Sequence, residues 1–118
     1  MSKTRLYEEA DICLLPEARR GIRLPLRSTI ATPVQFDNHP GEYWSMWIVP
    51  AESLYPSKWG HAKVAVGMQE YASSLMAVGV RFSIWFGGVR GGEGVIRQVV
   101  ECDEAQYDEI FRFSGINS

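Results

Sequence analysis

The chain has 118 residues, 46% of them hydrophobic and 22% charged, with a formal charge of −2 from 12 basic and 14 acidic side chains. That length suits one domain, and that apolar fraction excludes an intrinsically disordered chain. The lack of a net basic excess weighs against a dedicated nucleic-acid binder, and two cysteines are too few for a disulfide scaffold.

The first predicted strand has Ala10, Ile12 and Leu14 on one face and Asp11 and Cys13 on the other. A period of two sends one set inward and the other outward, as a half-buried strand requires. Pro16, Gly21 and Pro25 interrupt the chain after it. Within that segment Arg19, Arg20, Arg23 and Arg27 place four guanidiniums in nine residues. The next alternating runs are Trp44, Met46 and Ile48, then Val64, Val66 and Met68, then Val80, Phe82, Ile84 and Phe86. A more mixed run holds Ile96, Gln98 and Val100. Val, Ile, Phe and Trp suit a pleated surface. Pro33, Pro40-Gly41, Pro50, Pro56, Gly60 and the Gly87–Gly94 segment supply breakers between the runs. Short strands separated by turns predict a sandwich or a barrel, with too little room for the helices of a parallel sheet. Tyr71 to Ala77 fits either one helical turn or a connecting loop.

The C-terminus reads differently. Asp103 is an N-cap candidate with Gln106 three residues on, the spacing of a capping box. Tyr107, Ile110, Phe111 and Ser114 fall on one face, and Gly115 marks a stop, so a short helix is predicted over Glu104 to Phe113. Charge divides unevenly: residues 1–100 carry +2, whereas residues 101–118 carry −4, with Arg112 against Glu101, Asp103, Glu104, Asp108 and Glu109. The arginine cluster reads as a solvated loop, or as one that pairs with this acidic helix, which would then act as an autoinhibitory lid.

The stretch from Gly79 to Ile96 resembles the last hairpin of the C-terminal β-barrel domain of elongation factor Tu. That family carries a pattern of the form G-[LV]-R-F-x-I-x-x-G-G-x-x-x-G-x-G-V-[VI], matched by Gly79, Arg81, Phe82, Ile84, Gly87, Gly88, Gly92, Gly94 and Val95. Ala10 to Leu15 resembles the family's first strand, and Thr32-Pro33-Val34-Gln35-Phe36 resembles its R-P-Q-F segment with one residue inserted. The resemblance runs from about residue 6 to 100. It implies a mainly β fold, a single closed antiparallel six-stranded β-barrel of the translation-factor type over residues 1–102. Residues 103–118 would then form a helix and tail packed outside. The GTPase motifs G-x-x-x-x-G-K-[ST] and N-K-x-D are missing, so no nucleotide is expected, and the Gly87–Gly94 loop reads as a turn. In the family, the loop after the first strand lies near the T-stem backbone of transfer RNA. The aligned run here is Gly21-Ile22-Arg23-Leu24-Pro25.

By strict alternation Trp47 and Trp85 point away from the inward sets, and an exposed Trp pair is a natural interface anchor. With Arg23 and Arg90 at the rim, the expected function is a non-catalytic module that binds a protein or a second copy of itself. A covering C-terminal helix would mask one of the two Trp. The alternative is an RNA-binding module in which Arg19, Arg20, Arg23, Arg27 and Arg90 fork phosphates. A third class is a small-ligand binder or small enzyme with an unrecognised pocket. His39 and His61 are the only histidines, each predicted in a Pro/Gly-flanked loop, so no metal or other cofactor is expected. Glu8, Glu9 and Asp11 read as a solvated strand end. Cys13 and Cys102 read as free thiols, although neighbouring first and last strands would allow them to meet. The first ten residues have no apolar core of a secretory signal, and the longest uncharged stretch, Tyr71 to Val80, is about half a membrane span. The expected location is the cytoplasm, with no membrane partner.

Overall fold

A computed structural model describes residues 4–67 and 76–111. Its strands are β1 (Thr4–Leu14), β2 (Ile30–Phe36), β3 (Trp44–Pro50), β4 (Trp59–Val66), β5 (Arg81–Phe86) and β6 (Val89–Asp103). A 3-10 turn covers Pro16–Arg20, and helix α1 (Glu104–Phe111) follows β6. The strands close in the order β1-β4-β3-β2-β5-β6, every pair antiparallel. The mainly β, closed six-stranded barrel with one short C-terminal helix is therefore present. The turn or loop expected at Tyr71 to Ala77, and the inward Met68, lie largely outside the described residues. No helix among the described residues is long and apolar enough to cross a membrane.

Closure depends on β1, which pairs with β4 through Glu8–Cys13 and with β6 along its whole length. Its inward residues Ala10, Ile12 and Leu14 join Val34, Phe36, Met46, Ile48, Val64, Val66, Phe82, Ile84, Phe86 and Ile96 in one core cluster. The expected inward sets of these strands are thus buried, except that Trp44 and Val80 lie half-buried against the cluster's edge.

The mixed pattern of β6 has a geometric cause. Glu9 pairs with Gln98 but Ala10 pairs with Ile96, so Arg97 is an extra residue in a β-bulge. The alternation slips there: Ile96 points inward, while Val100 and Cys102 point outward beneath the helix. A second device is the hairpin between β5 and β6. Gly87 and Gly88 both have positive φ (57° and 85°), as a two-residue turn matched to strand twist demands. At Gly94 the reason is space, because an added Cβ would lie 2.3 Å from Cζ of Phe82. The Phe82 ring lies where a side chain on β6 would be.

Pro33 sits inside β2, where it cannot donate to a ladder. The β2–β5 pairing begins only at Val34, and the Thr32 hydroxyl donates to the Trp85 carbonyl beside it. A side chain therefore satisfies an acceptor that the proline leaves open.

Helix α1 starts where the capping box predicts. The Gln106 amide donates to Asp103 Oδ1 at 2.7 Å and the Asp103 amide donates to Gln106 Oε1 at 3.1 Å. Eight residues are too few for a helix to persist in water alone. Packing holds it: Tyr107 and Phe111 are buried against Tyr7 and Ala65, with Trp47, Val49, Val100 and Cys102 around them. Arg5 adds a cation–π contact, its guanidinium 4.0 Å from the centre of the Tyr107 ring.

Candidate functional site

In an antiparallel barrel alternate connections emerge at the same end. Segments 15–29, 51–58 and 87–88 share one end, and segment 37–43, the start of β1 and the end of β6 share the other. This parity sorts the charges. The first end carries Arg19, Arg20, Arg23, Arg27, Lys58 and Arg90, against Glu17 and Glu52 on the same connections. The opposite end carries Asp37, Glu42, Glu101, Asp103, Glu104, Asp108 and Glu109, against Arg5 and Arg81. Among the described residues the two ends therefore carry charge of opposite sign.

The arginine segment is ordered by buried anchors. Ala18 and Leu26 are core residues, and an added Cβ at Gly21 would strike Phe86 at 2.5 Å. Leu26 and Leu54 form an isolated bridge that ties segment 15–29 to segment 51–58. Arg19, Arg20, Arg23 and Arg27 are all exposed, and among the described residues their side chains make no ion pair or hydrogen bond. Arg90 is exposed and its Nε donates to Ser83 Oγ at 3.1 Å. Arg23 and Arg27 border a groove of about 460 Å³ with Ile22, Pro25, Leu26, Ser28 and Ile30. A second cleft, about 270 Å³, holds Tyr55, Lys58 and Trp59 beside Glu52. Tyr55 and Trp59 are 47% and 51% exposed, and these two aromatics are the ones beside the cations.

The two tryptophans expected to be exposed are not. Trp47 is half-buried under α1, which masks one of the expected anchors. Trp85 is half-buried with Tyr43 edge-on at 6.0 Å, and among the described residues its enclosed indole N–H has no acceptor. Both do lie on the outer face, as alternation predicts, but the helix and Tyr43 cover them. The lid is also corrected. Helix α1 packs at the Thr4 end of β1, while the arginines follow its Leu14 end, a strand length of roughly 35 Å away. The acid that α1 pairs is Glu104, 4.0 Å from Arg5.

The cysteines remain apart. β1 and β6 are neighbours, but Cys13 pairs with Glu93 and Cys102 pairs with Arg5, roughly 27 Å apart along β1. Both thiols are free, and burial raises both pKa values, which suppresses thiolate reactivity.

His61 is in β4, not in a loop, and Glu9 and Asp11 are not a strand end. On the outer face Glu9 stands opposite Lys63 and Asp11 opposite His61. His61 Nε2 donates to Glu9 Oε1, and Nδ1 lies 3.5 Å from Asp11 Oδ1. Lys63 Nζ is 3.5 Å from Glu9 Oε2, and the bulge residue Arg97 donates to Asp11 Oδ2 at 2.7 Å. Each carboxylate has its own cation, so this belt reads as a self-neutralised surface network, and no hydroxyl or thiol among the described residues bonds His61. Sequence spacing hid it because its members come from three strands. Glu8 instead faces inward at the barrel rim. Burial alone raises its pKa to about 7.

Comparison with known proteins adds no family: no family model matches the sequence, and no curated protein is significantly similar to it.

Proposed function

We propose that the protein is a non-catalytic binding module that engages a protein partner through the basic end of its barrel. The observation carrying this reading is the gathering of six cations at one end, four of them unpaired guanidiniums on a loop pinned by Ala18 and Leu26. Unpaired guanidiniums need not break existing bonds to meet a carboxylate, and a pinned loop loses little entropy on binding. The contact set shifts from Trp47 and Trp85 to the arginines with Tyr55 and Trp59. Acidic groups at the far end would orient the molecule toward an anionic surface before contact.

An affinity capture from host lysate tests this, comparing wild type with a variant in which Arg19, Arg20, Arg23 and Arg27 are all changed to Glu, with and without nuclease. A nuclease-resistant protein retained by wild type and lost by the variant supports the reading. Nothing distinguishing the two variants rejects it.

RNA is the second reading, favoured by one observation: Tyr55 and Trp59 stand exposed beside Lys58, where bases would stack. It requires capture that nuclease abolishes and an affinity that falls log-linearly with salt.

A further inference from the structure

We infer that the groove between Arg23 and Arg27 takes an extended peptide segment in which acidic residues alternate with aliphatic ones. This inference rests on the basic end being the binding surface and assigns its occupant. The groove has two chemically distinct parts. Its floor is aliphatic: Leu26 is buried, and Ile22, Pro25 and Ile30 are half-buried. Its rim carries two exposed guanidiniums and the exposed Ser28 hydroxyl.

That combination selects the ligand. A purely acidic segment would satisfy Arg23 and Arg27 but leave the floor wetted. A purely apolar one would desolvate both guanidiniums without partners. A nucleic-acid strand would meet the arginines with phosphate, yet no aromatic ring lines this groove for its bases; Tyr55 and Trp59 line the other cleft. An extended chain sends successive side chains to opposite sides, so acid and aliphatic residues in alternation reach rim and floor together. The floor also belongs to a segment whose backbone is already fixed, since Leu26 donates to and accepts from Leu54 at 2.9 Å each. Little reordering is needed on binding.

The test uses the full chain and a short fluorescein-labelled peptide alternating Glu with Leu, read by fluorescence anisotropy. Matched peptides alternate Gln with Leu and Glu with Ser, and oligouridylate serves as competitor. Arg23→Ala/Arg27→Ala removes the rim cations. Ser28→Glu, at an exposed position that leaves the core intact, sets a competing carboxylate on the groove's lining. Circular dichroism and melting confirm that each variant folds. The inference expects each of these variants to weaken the Glu/Leu peptide about tenfold or more, and both control peptides to bind at least about tenfold more weakly. Arg19→Ala/Arg20→Ala, outside the groove, should change affinity less than about threefold.

Equal binding of the Glu/Ser peptide overturns the role of the floor. A larger loss from Arg19→Ala/Arg20→Ala than from Arg23→Ala/Arg27→Ala moves the site out of the groove while leaving the basic end as the binding surface. No loss from any arginine variant rejects both the groove and the basic end. Displacement by oligouridylate at lower concentration than unlabelled Glu/Leu peptide reassigns the groove to nucleic acid. No binding of the Glu/Leu peptide at millimolar concentration overturns the groove and leaves the capture experiment to decide the surface.

Discussion

Leu26 and Leu54 exchange two backbone hydrogen bonds, the amide of each donating to the carbonyl of the other at 2.9 Å. Both side chains are core residues, although both belong to connections rather than strands. The arginine segment is therefore fastened to segment 51–58 by backbone and by core packing together. Truncating Leu54 removes the packing and leaves the bonds. Leu54→Ala should destabilise the barrel by about 2–5 kcal/mol, the range for a buried leucine cavity. Chemical denaturation measures the loss. Hydrogen exchange should show the amides of Leu26 and Leu54 losing protection before those of β1.

Gly94 is held to glycine by the Phe82 ring. A Cβ there would lie 2.3, 2.7 and 2.8 Å from three ring carbons, and Phe82 is only 1% exposed, so the ring has nowhere to go. Gly94→Ala should destabilise by about 1–3 kcal/mol through overpacking. Adding Phe82→Leu, which vacates that space, should make the second substitution at Gly94 nearly neutral. A double-mutant cycle by urea denaturation reads the coupling, and additive losses would show that the two residues do not compete for one volume.

The fold was largely legible because alternation and turn residues are local signals. The runs at Ala10–Leu14, Trp44–Ile48 and Val80–Phe86 name their inward faces, and Asp103 with Gln106 names the start of α1 to the residue. The misreadings share a cause, which is dependence on pairing between distant strands. Nothing in the run Val95 to Val100 says that Arg97 is a bulge; that follows from its register with β1. Nothing beside His61 announces Glu9 and Asp11, which β1 brings from 50 or more residues away. The exposed Trp pair failed because outward-facing is not the same as exposed: α1 lies over Trp47, and Tyr43 against Trp85. The separation of charge, by contrast, was available from loop parity alone once six antiparallel strands were granted. The arginines follow the first strand and the acidic helix follows the sixth, so the two must leave opposite ends.

Helix α1 is held by packing, not propensity, and its two supports should separate on substitution. Asp103→Ala removes the side-chain acceptor of the Gln106 amide and should cost about 1 kcal/mol, the usual value of a cap. Phe111 touches both Tyr7, at 6.0 Å between ring centres, and Tyr107, at 4.8 Å. Phe111→Ala should cost about 3 kcal/mol or more where helix and barrel unfold together. If the helix releases first, residues 104–111 lose exchange protection and Trp47 becomes open to acrylamide quenching while the β1 amides stay protected. A variant that keeps Trp47 shielded would show that α1 does not cover it.

Glu8 gives the molecule a pH dependence whose sign follows from its position. Its cross-strand neighbours are Val64 and Val99, it is 5% exposed, and among the described residues its carboxylate has no cationic partner. Burial raises its pKa from 4.5 to about 7. The folded state therefore holds the proton more tightly than the unfolded chain. No penalty exists below pH 4.5; stability falls as pH rises through the interval to about 7, and the penalty is complete above it. The shift corresponds to a difference on the order of 3 kcal/mol. Glu8→Gln keeps the shape and removes the charge. It should raise stability relative to wild type by about 1–3 kcal/mol at pH 8, with the advantage shrinking toward pH 4. Urea denaturation of both proteins at a series of pH values between 4 and 8.5 measures the difference directly. Other groups pushed upward by burial, Tyr7, Tyr107, Cys13 and Cys102, start from 9 or 10 and so titrate above this window. A difference curve that stays flat across the series would place the Glu8 carboxylate in water rather than in the barrel rim.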